Sequence, residues 1–357
     1  MRTLSLDIPW LAWPEVCRIV EAFKAADVEL GFYGGSVRDT ILGNRPSDFD
    51  IIVASNHAET KALLERAGLT VTVLDDLTMR ADINGWQFDF LIINLTEERV
   101  LASFREAAHE RAAYTEFTIN SFLLFPPGPI YACASTALSD LSLGRLAFIG
   151  DPDIRINERA VYILRFFRLY AWYGKTAPEA ASLTACVRRS PAIPNINQEF
   201  LRHNMTKLLA APQPYASLRL MQKHGVLLYA MGFAIKDFTL VEALGKVETL
   251  SHATASWHLR AAALFLSAPL PPEKALAHVA GYWGLEKDDI RTISLLLDYC
   301  AAADPTLPKA KIKTLTQELG GTAVRDLFLL RWAMEEDVEA ASAGYQRAIN
   351  GMNIAAV

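Results

Sequence analysis

Cysteine is scarce in this chain, and its spacing argues against both a disulfide framework and a thiolate metal site. The four cysteines, Cys17, Cys133, Cys186 and Cys300, are scattered over 357 residues, never at the two-residue interval that lets thiolates share a zinc ion. They read as reduced, buried small hydrophobes. None of the seven histidines belongs to a His-Glu-x-x-His pattern, so the helical two-histidine zinc arrangement is excluded. No apolar run reaches the roughly 20 residues of a membrane span, and no membrane partner is expected. Residues 1–13 lack the basic stretch and uninterrupted apolar stretch of a secretory signal, which predicts a cytoplasmic protein. An excess of positive charge is missing as well: 35 Lys and Arg face 40 Asp and Glu, a net charge of −5. Such a chain cannot meet nucleic acid over its whole surface.

What is present is an ordinary globular balance, with 52% apolar and 21% charged residues, which excludes a disordered chain. The length implies two to four domains or subdomains. Charge is unevenly distributed. Between Arg145 and Lys223 twelve Lys and Arg face five Asp and Glu, which leaves −12 for the remainder. This basic middle fits a nucleic-acid-facing segment, or equally a set of helix-surface ion pairs. The first half mixes predicted helices near Pro14–Ala26 and Glu59–Arg66 with strands near Glu29–Tyr33, Phe49–Ala54, Thr70–Leu74 and Trp86–Ile93. Phe117–Phe125 fits a helix or a strand. After the turn Phe125-Pro126-Pro127-Gly128-Pro129, helical periodicity takes over.

Two motifs carry the chemistry. Gly34-Gly35-Ser36-Val37-Arg38-Asp39 follows a strand and opens a short helix that Gly43 ends. Ser36 and Asp39, three apart, have the spacing of a capping box, which predicts the diglycine at a helix N-terminus. Backbone N–H groups there can face a triphosphate, and missing side chains let it come close. A plain strand-turn-helix explains the same residues. Downstream, Ser47-Asp48-Phe49-Asp50-Ile51-Ile52-Val53 places Asp48 and Asp50 on one face of a strand, with Phe49 and Ile51 on the other. Adjacent carboxylates repel unless a cation lies between them, and hard oxygen donors favour Mg²⁺ completed by water and substrate phosphate. The alternative is a pair of solvated carboxylates at a strand end. Asp89, within Phe88-Asp89-Phe90, reads as a third carboxylate or as a polar residue of an edge strand.

Together these motifs resemble the signature of the class II tRNA nucleotidyltransferase and bacterial poly(A) polymerase family. Further matches are Phe117-Thr118-Ile119-Asn120, the neck-like 150–158 and 163–168, Lys207-Leu208-Leu209, and weakly Arg325–Leu330. The resemblance implies an α/β head of the polymerase-beta-like nucleotidyltransferase type followed by an all-α neck, body and tail. The implied divisions are a head at 1–127, a neck with nucleotide and RNA contacts at 128–211, and an RNA-binding body and tail at 212–357. The implied activity is Mg²⁺-dependent addition of nucleotides from ATP or CTP to an RNA 3′ end, most naturally that of tRNA. Asp48 and Asp50 would bind the metal, with Asp89 beside them as a catalytic carboxylate. Gly34, Gly35, Ser36 and Arg38 would hold the triphosphate, and Glu116 and Asn120 would stand at the nucleotide.

Departures from the family pattern bear on specificity. Where the family has Arg-Arg-Asp before Phe-Thr, this chain has Tyr114-Thr115-Glu116. In the neck, Arg159 and Tyr162 replace an Asp and an Arg that share a helix face and read the incoming base. Arg165 and Arg168, on neighbouring turns, can still meet phosphate or pair with carboxylates. The segment between Ile93 and Tyr114 is shorter than the family's loop. Three functions are consistent with this sequence: a tRNA-terminal nucleotidyltransferase, a divergent one with another acceptor or a relaxed base choice, and an RNA-binding paralogue without catalysis.

Overall fold

The computed structural model describes residues 2–93, 103–235, 237–253 and 256–352. The expectation of a short loop between Ile93 and Tyr114 falls partly on 94–102, outside the described residues. The described residues divide into two compact units, Met1–Arg155 with Lys175–Ser182, and Ile156–Gly174 with Leu183–Val357.

The first unit is built on a sheet of β1 (Arg2–Leu4), β2 (Leu30–Tyr33), β3 (Phe49–Val53), β4 (Thr70–Val73), β5 (Thr78–Ile83), β6 (Trp86–Ile92), β7 (Phe122–Leu124) and β8 (Ile130–Ala132). Its order is β1-β8-β7-β2-β3-β6-β5-β4. Only β3 and β6 pair in parallel; the other neighbours are antiparallel. With it come helices α1 (Pro14–Ala25), α2 (Gly35–Ile41), α3 (His57–Arg66) and α4 (Phe104–Ala113).

Local chemistry sets these elements. Pro14 at the first turn of α1 has no N–H to leave unpaired, and Val16, Ile19 and Phe23 bury one helical face. Asn56 caps α3 by accepting from Glu59 N at 3.0 Å, and Ser103 caps α4 by accepting from Glu106 N at 3.3 Å. β5 and β6 meet at Ile83 and Trp86 through a two-residue turn, Asn84-Gly85, with φ of 51° and 80°. Both positive angles belong to the hairpin turn that Asn-Gly favours.

The two sheet faces differ in what covers them. Phe32, Phe49, Phe88 and Phe90 lie on one face with Trp10 and Phe23. On the other, Ile52 and Leu123 pack against Phe104, Ala108 and Ala112 of α4. Because strand side chains alternate, Asp50 shares the face of Ile52.

The structure changes several local expectations. Gly34, with φ 75°, is the N-cap of α2 and no side chain caps it, so Ser36 sits inside the first turn and not at a capping box. Phe117–Phe125 is neither simple alternative: a 3₁₀ turn at Thr118–Asn120 precedes β7. One strand, β8, follows the proline-rich turn and completes the sheet.

The second unit is helical. Val161–Tyr173 buries most of its surface, including Ile163, Leu164, Phe166 and Phe167. It is held by Ser217 Oγ donating to the Phe167 carbonyl at 2.7 Å and Trp172 Nε1 donating to the Lys207 carbonyl at 2.8 Å. Deeper in this unit, Arg260 is 0% exposed. Its Nε and Nη2 donate to Glu248 at 2.8 and 2.6 Å, and its Nη1 to the carbonyls of Leu209 and Ala211 at 2.5 and 2.8 Å. Among the described residues no helix is long and apolar enough to cross a membrane.

Candidate active site

The register of four strands lays one polar row across the head. Tyr33 on β2 pairs with Asp50 on β3, Asp50 with Asp89 on β6, and Asp89 with Arg80 on β5. Residues opposite one another in a sheet share a face, so these four side chains line up beside the apolar patch under α4. Asp89 is not on an edge strand, which removes that reading. Its two oxygens accept from Arg80 Nε at 2.7 Å and Nη2 at 2.9 Å. This bidentate pair offsets the repulsion between Asp89 and Asp50 and keeps Arg80 firmly protonated; the charge of Asp48 acts on Arg80 in the same direction. Asp48 itself lies just before β3 and is exposed, accepting from Ser47 Oγ at 3.1 Å.

Tyr33 ends β2 directly before the diglycine. Burial and the nearby Asp50 carboxylate push its phenol up, and the charge of Arg111 opposes them. Arg111 on α4 stands 5.9 Å from the Tyr33 ring centre. Gly34 follows. A Cβ there would lie 3.2 Å from Asp50 Oδ2, so the missing side chain keeps the carboxylate's flank open.

Behind the turn runs a buried chain of side chains. Arg38 is 6% exposed and donates to Asp39 through Nε and Nη2, both at 3.0 Å, and to Asn120 Oδ1 at 2.5 Å. Asn120 Nδ2 donates to Glu116 Oε1 at 3.4 Å. Arg38 is therefore an internal tie between α2 and the Thr118–Asn120 turn. Ser36 Oγ is 1% exposed and has no hydrogen-bond partner among the described residues.

The expected neck residues belong to the helical unit. Arg159 falls between helices Pro152–Glu158 and Val161–Tyr173, so it does not share a helical face with Tyr162 in the way the sequence suggested. Tyr162 is 8% exposed; the guanidinium carbons of Arg159 and Arg165 each stand 5.9 Å from its ring centre. Arg168 is half-buried on the same helix. In the basic segment, Arg145, Arg202 and Arg219 pair with Asp140, Glu286 and Glu242, as the ion-pair reading expects.

Among the described residues no group of three or more His, Cys, Asp and Glu is arranged to hold a metal ion. The carboxylate pair still fits Mg²⁺, which commonly takes one or two carboxylates and completes its shell with water and phosphate. Asp48 and Asp50 would supply the oxygens, and the space kept open at Gly34 adjoins Asp50. Asp89 has both oxygens on Arg80.

A mixed sheet bearing this carboxylate row beside a strand-diglycine-helix turn, followed by a helical unit, defines a polymerase-beta-like nucleotidyltransferase head with a helical extension. Residues 30–147 match the poly A polymerase head domain. Over a longer stretch the chain is similar to CCA-adding enzymes. It is 26% identical over 294 residues to the CCA-adding enzyme of Leuconostoc mesenteroides, covering 78% of this chain and 69% of that protein. It is 32% identical over 200 residues to that of Streptococcus pneumoniae, covering 54% of this chain but only 49% of that protein, about half its length. The Bacillus stearothermophilus CCA-adding enzyme in complex with CTP has the same fold, with a TM-score of 0.69, 18% identity, and coverage of 97% and 83% of the two chains.

Three participants had gone unnoticed in the sequence: Tyr33, Arg80 and Arg111. The Asn84-Gly85 turn would have revealed Arg80, since it fixes β5 against β6 and so sets Arg80 opposite Asp89.

Proposed function

We propose that this chain is a cytoplasmic, Mg²⁺-dependent, template-independent nucleotidyltransferase that extends an RNA 3′ end, with tRNA as its leading acceptor. The observation that carries the reading is the row Asp50–Asp89–Arg80, with Asp48 at its mouth and the open turn at Gly34 beside it. The RNA 3′-hydroxyl attacks the α-phosphate of a nucleoside triphosphate; the new O–P bond forms as the bond to pyrophosphate breaks. Mg²⁺ held by Asp48 and Asp50 supplies charge neutralisation at the reacting phosphates. The backbone at Gly34 and Gly35 receives triphosphate oxygens, while the Ser36 side chain is buried beneath the turn. Arg38 does not need to touch phosphate in this scheme. It holds Asn120, and through it Glu116, in register with the turn at the nucleotide.

Nucleotide choice is proposed to differ from strict C-then-A addition. A base edge is discriminated when the wrong base leaves buried donors or acceptors unpaired, at about 1–3 kcal/mol each. Arg159 can only donate, and the largely buried Tyr162 offers a single hydroxyl. The test is incorporation from an equimolar mixture of ATP, CTP, GTP and UTP into a tRNA transcript lacking its 3′ end. Detectable GTP or UTP incorporation is expected. Strict C, C, A addition would exclude Arg159 and Tyr162 as the selectors.

A further inference from the structure

We infer that Arg111 is the cation that takes the β- and γ-phosphates of the nucleoside triphosphate, and so holds the pyrophosphate that leaves. This inference rests on the nucleotidyltransferase reading above. Arg111 lies in the last turn of α4, the helix that packs over Ile52 and Leu123 on the sheet face that bears Asp50. Its guanidinium carbon stands 5.9 Å from the ring centre of Tyr33, and Tyr33 is the register partner of Asp50. Besides burial, the charges of Asp50, Glu116 and Asp89 act on the Tyr33 phenol in one sense and that of Arg111 in the other. The cation and the carboxylates therefore converge on one side chain. Two further observations fix the side of Asp50 on which the cation stands. The apolar residues under α4 include Tyr33, Leu123 and Phe125, which belong to β2 and β7 or follow directly on β7, and both strands lie on the same side of β3. At the end of α4, Ser121 Oγ donates to the Ala112 carbonyl at 2.8 Å, and the carbonyl of the next residue, Phe122, accepts from Gly34 N at 3.1 Å. The end of α4 and the Gly34 turn are thus tied to consecutive residues, which sets Arg111 on the side of the turn assigned to triphosphate.

Charge then identifies the ligand. A triphosphate adds negative charge to surroundings that already hold the carboxylates of Asp48, Asp50, Asp89 and Glu116, so it needs cations beyond the metal. Arg38 is held by Asp39 and Asn120, and Arg80 by Asp89. Arg111 is exposed and has no carboxylate partner among the described residues. The turn supplies little positive charge of its own, because the Gly34 N–H is spent on Phe122 and α2 is only seven residues long. A guanidinium presents a fork of donors that matches phosphate oxygens, and it cannot be deprotonated in a protein. It therefore gives no proton to the leaving group. As the bond from the α-phosphorus to pyrophosphate breaks, the electron pair stays with the pyrophosphate oxygen, and the fixed positive charge of Arg111 offsets it.

The test compares the unmodified full-length protein with Arg111→Gln, Arg111→Lys and Arg105→Gln, the last removing an arginine of the same helix that is paired with Glu29. Equilibrium dialysis with labelled ATP and Mg²⁺, in the absence of RNA, gives the ATP Kd, and displacement by inorganic pyrophosphate gives the pyrophosphate Kd. Steady-state kinetics on a tRNA transcript lacking its 3′ end and thermal melting accompany the binding. In Arg111→Gln both Kd values should rise by the same factor, on the order of tenfold, the share of one charge-assisted hydrogen bond. The acceptor KM should stay unchanged while kcat falls. Arg111→Lys should recover part of the loss, and Arg105→Gln should bind both ligands like the unmodified protein. A rise in the ATP Kd with an unchanged pyrophosphate Kd would move Arg111 to the base or the sugar and overturn the inference. Lowered melting with both Kd values unchanged, or an equal loss in Arg105→Gln, would overturn it as well. Unmodified protein that binds neither ATP nor pyrophosphate would overturn the parent reading too; an active enzyme with equal Kd values in Arg111→Gln overturns only the role of Arg111.

Discussion

Gly34→Ala separates backbone requirement from carboxylate placement. At φ 75° and ψ −131°, Gly34 occupies a region closed to L residues at a cost of about 1–3 kcal/mol. Alanine recovers about 0.4–1 kcal/mol by restricting the unfolded chain, so a net loss of about 1–2 kcal/mol is expected. A second effect falls on the site, because the new Cβ would lie 3.2 Å from Asp50 Oδ2, and the carboxylate must yield by a few tenths of an ångström. Since a shift of about 1 Å can cost roughly 100-fold in rate, this displacement should lower kcat several-fold to tenfold. Gly35→Ala is the internal comparison: Gly35 is not at positive φ, and its Cβ would meet Arg38 Nη2 at 3.5 Å, ordinary contact. It should be as stable as the unmodified protein. Urea denaturation and single-turnover nucleotide incorporation on both variants supply the two numbers. Equal stability of the two variants, or full kcat in Gly34→Ala, would refute the reasoning.

Arg260→Met should destabilise the helical unit by about 3–5 kcal/mol, because Glu248 is left largely buried without its partner; adding Glu248→Leu should restore part of the loss in urea melts. A pH effect is expected at Asp326, 2% exposed, whose carboxyl is pushed up by burial against opposing hydrogen bonds from Ser256 and Arg325. The folded state therefore holds the proton more tightly, so this stabilisation is present below an ordinary carboxyl value of about 3.9 and is lost as pH rises through the folded value. Asp326→Asn should accordingly gain stability relative to the unmodified protein between pH 4 and pH 7 in urea melts, and an unchanged difference would remove Asp326 from the pH dependence.

The parts of the head legible in the sequence are those with strong local patterns. Apolar spacing in α1 and alternation around Asp50 suffice for the helix Pro14–Ala25 and the strand Phe49–Val53. What the sequence hid depends on partners far away in the chain. Arg38 reads as a phosphate-facing cation until Asn120, 82 residues later, is seen accepting from it. Asp89 reads as a third carboxylate or as an edge-strand residue until β5 is seen beyond β6, with Arg80 donating to Asp89. Ser36 and Asp39 have the spacing of a capping box, but spacing cannot show that the helix already begins at Gly35. Arg159 sits where the neck residues suggest continuous helix, yet the backbone breaks between Glu158 and Val161.

The central claim is that Asp48 and Asp50 form the reacting centre of an RNA nucleotidyltransferase. Its most direct test is Mg²⁺-dependent incorporation of labelled nucleotide into tRNA lacking its 3′ end, measured for the unmodified protein and for Asp48→Asn and Asp50→Asn, with melting curves for all three. The account predicts incorporation by the unmodified protein, loss of incorporation in both variants, and closely similar melting, since each substitution removes charge and no core volume. Full incorporation by either folded variant, or none by the folded unmodified protein with any of the four triphosphates, would contradict it.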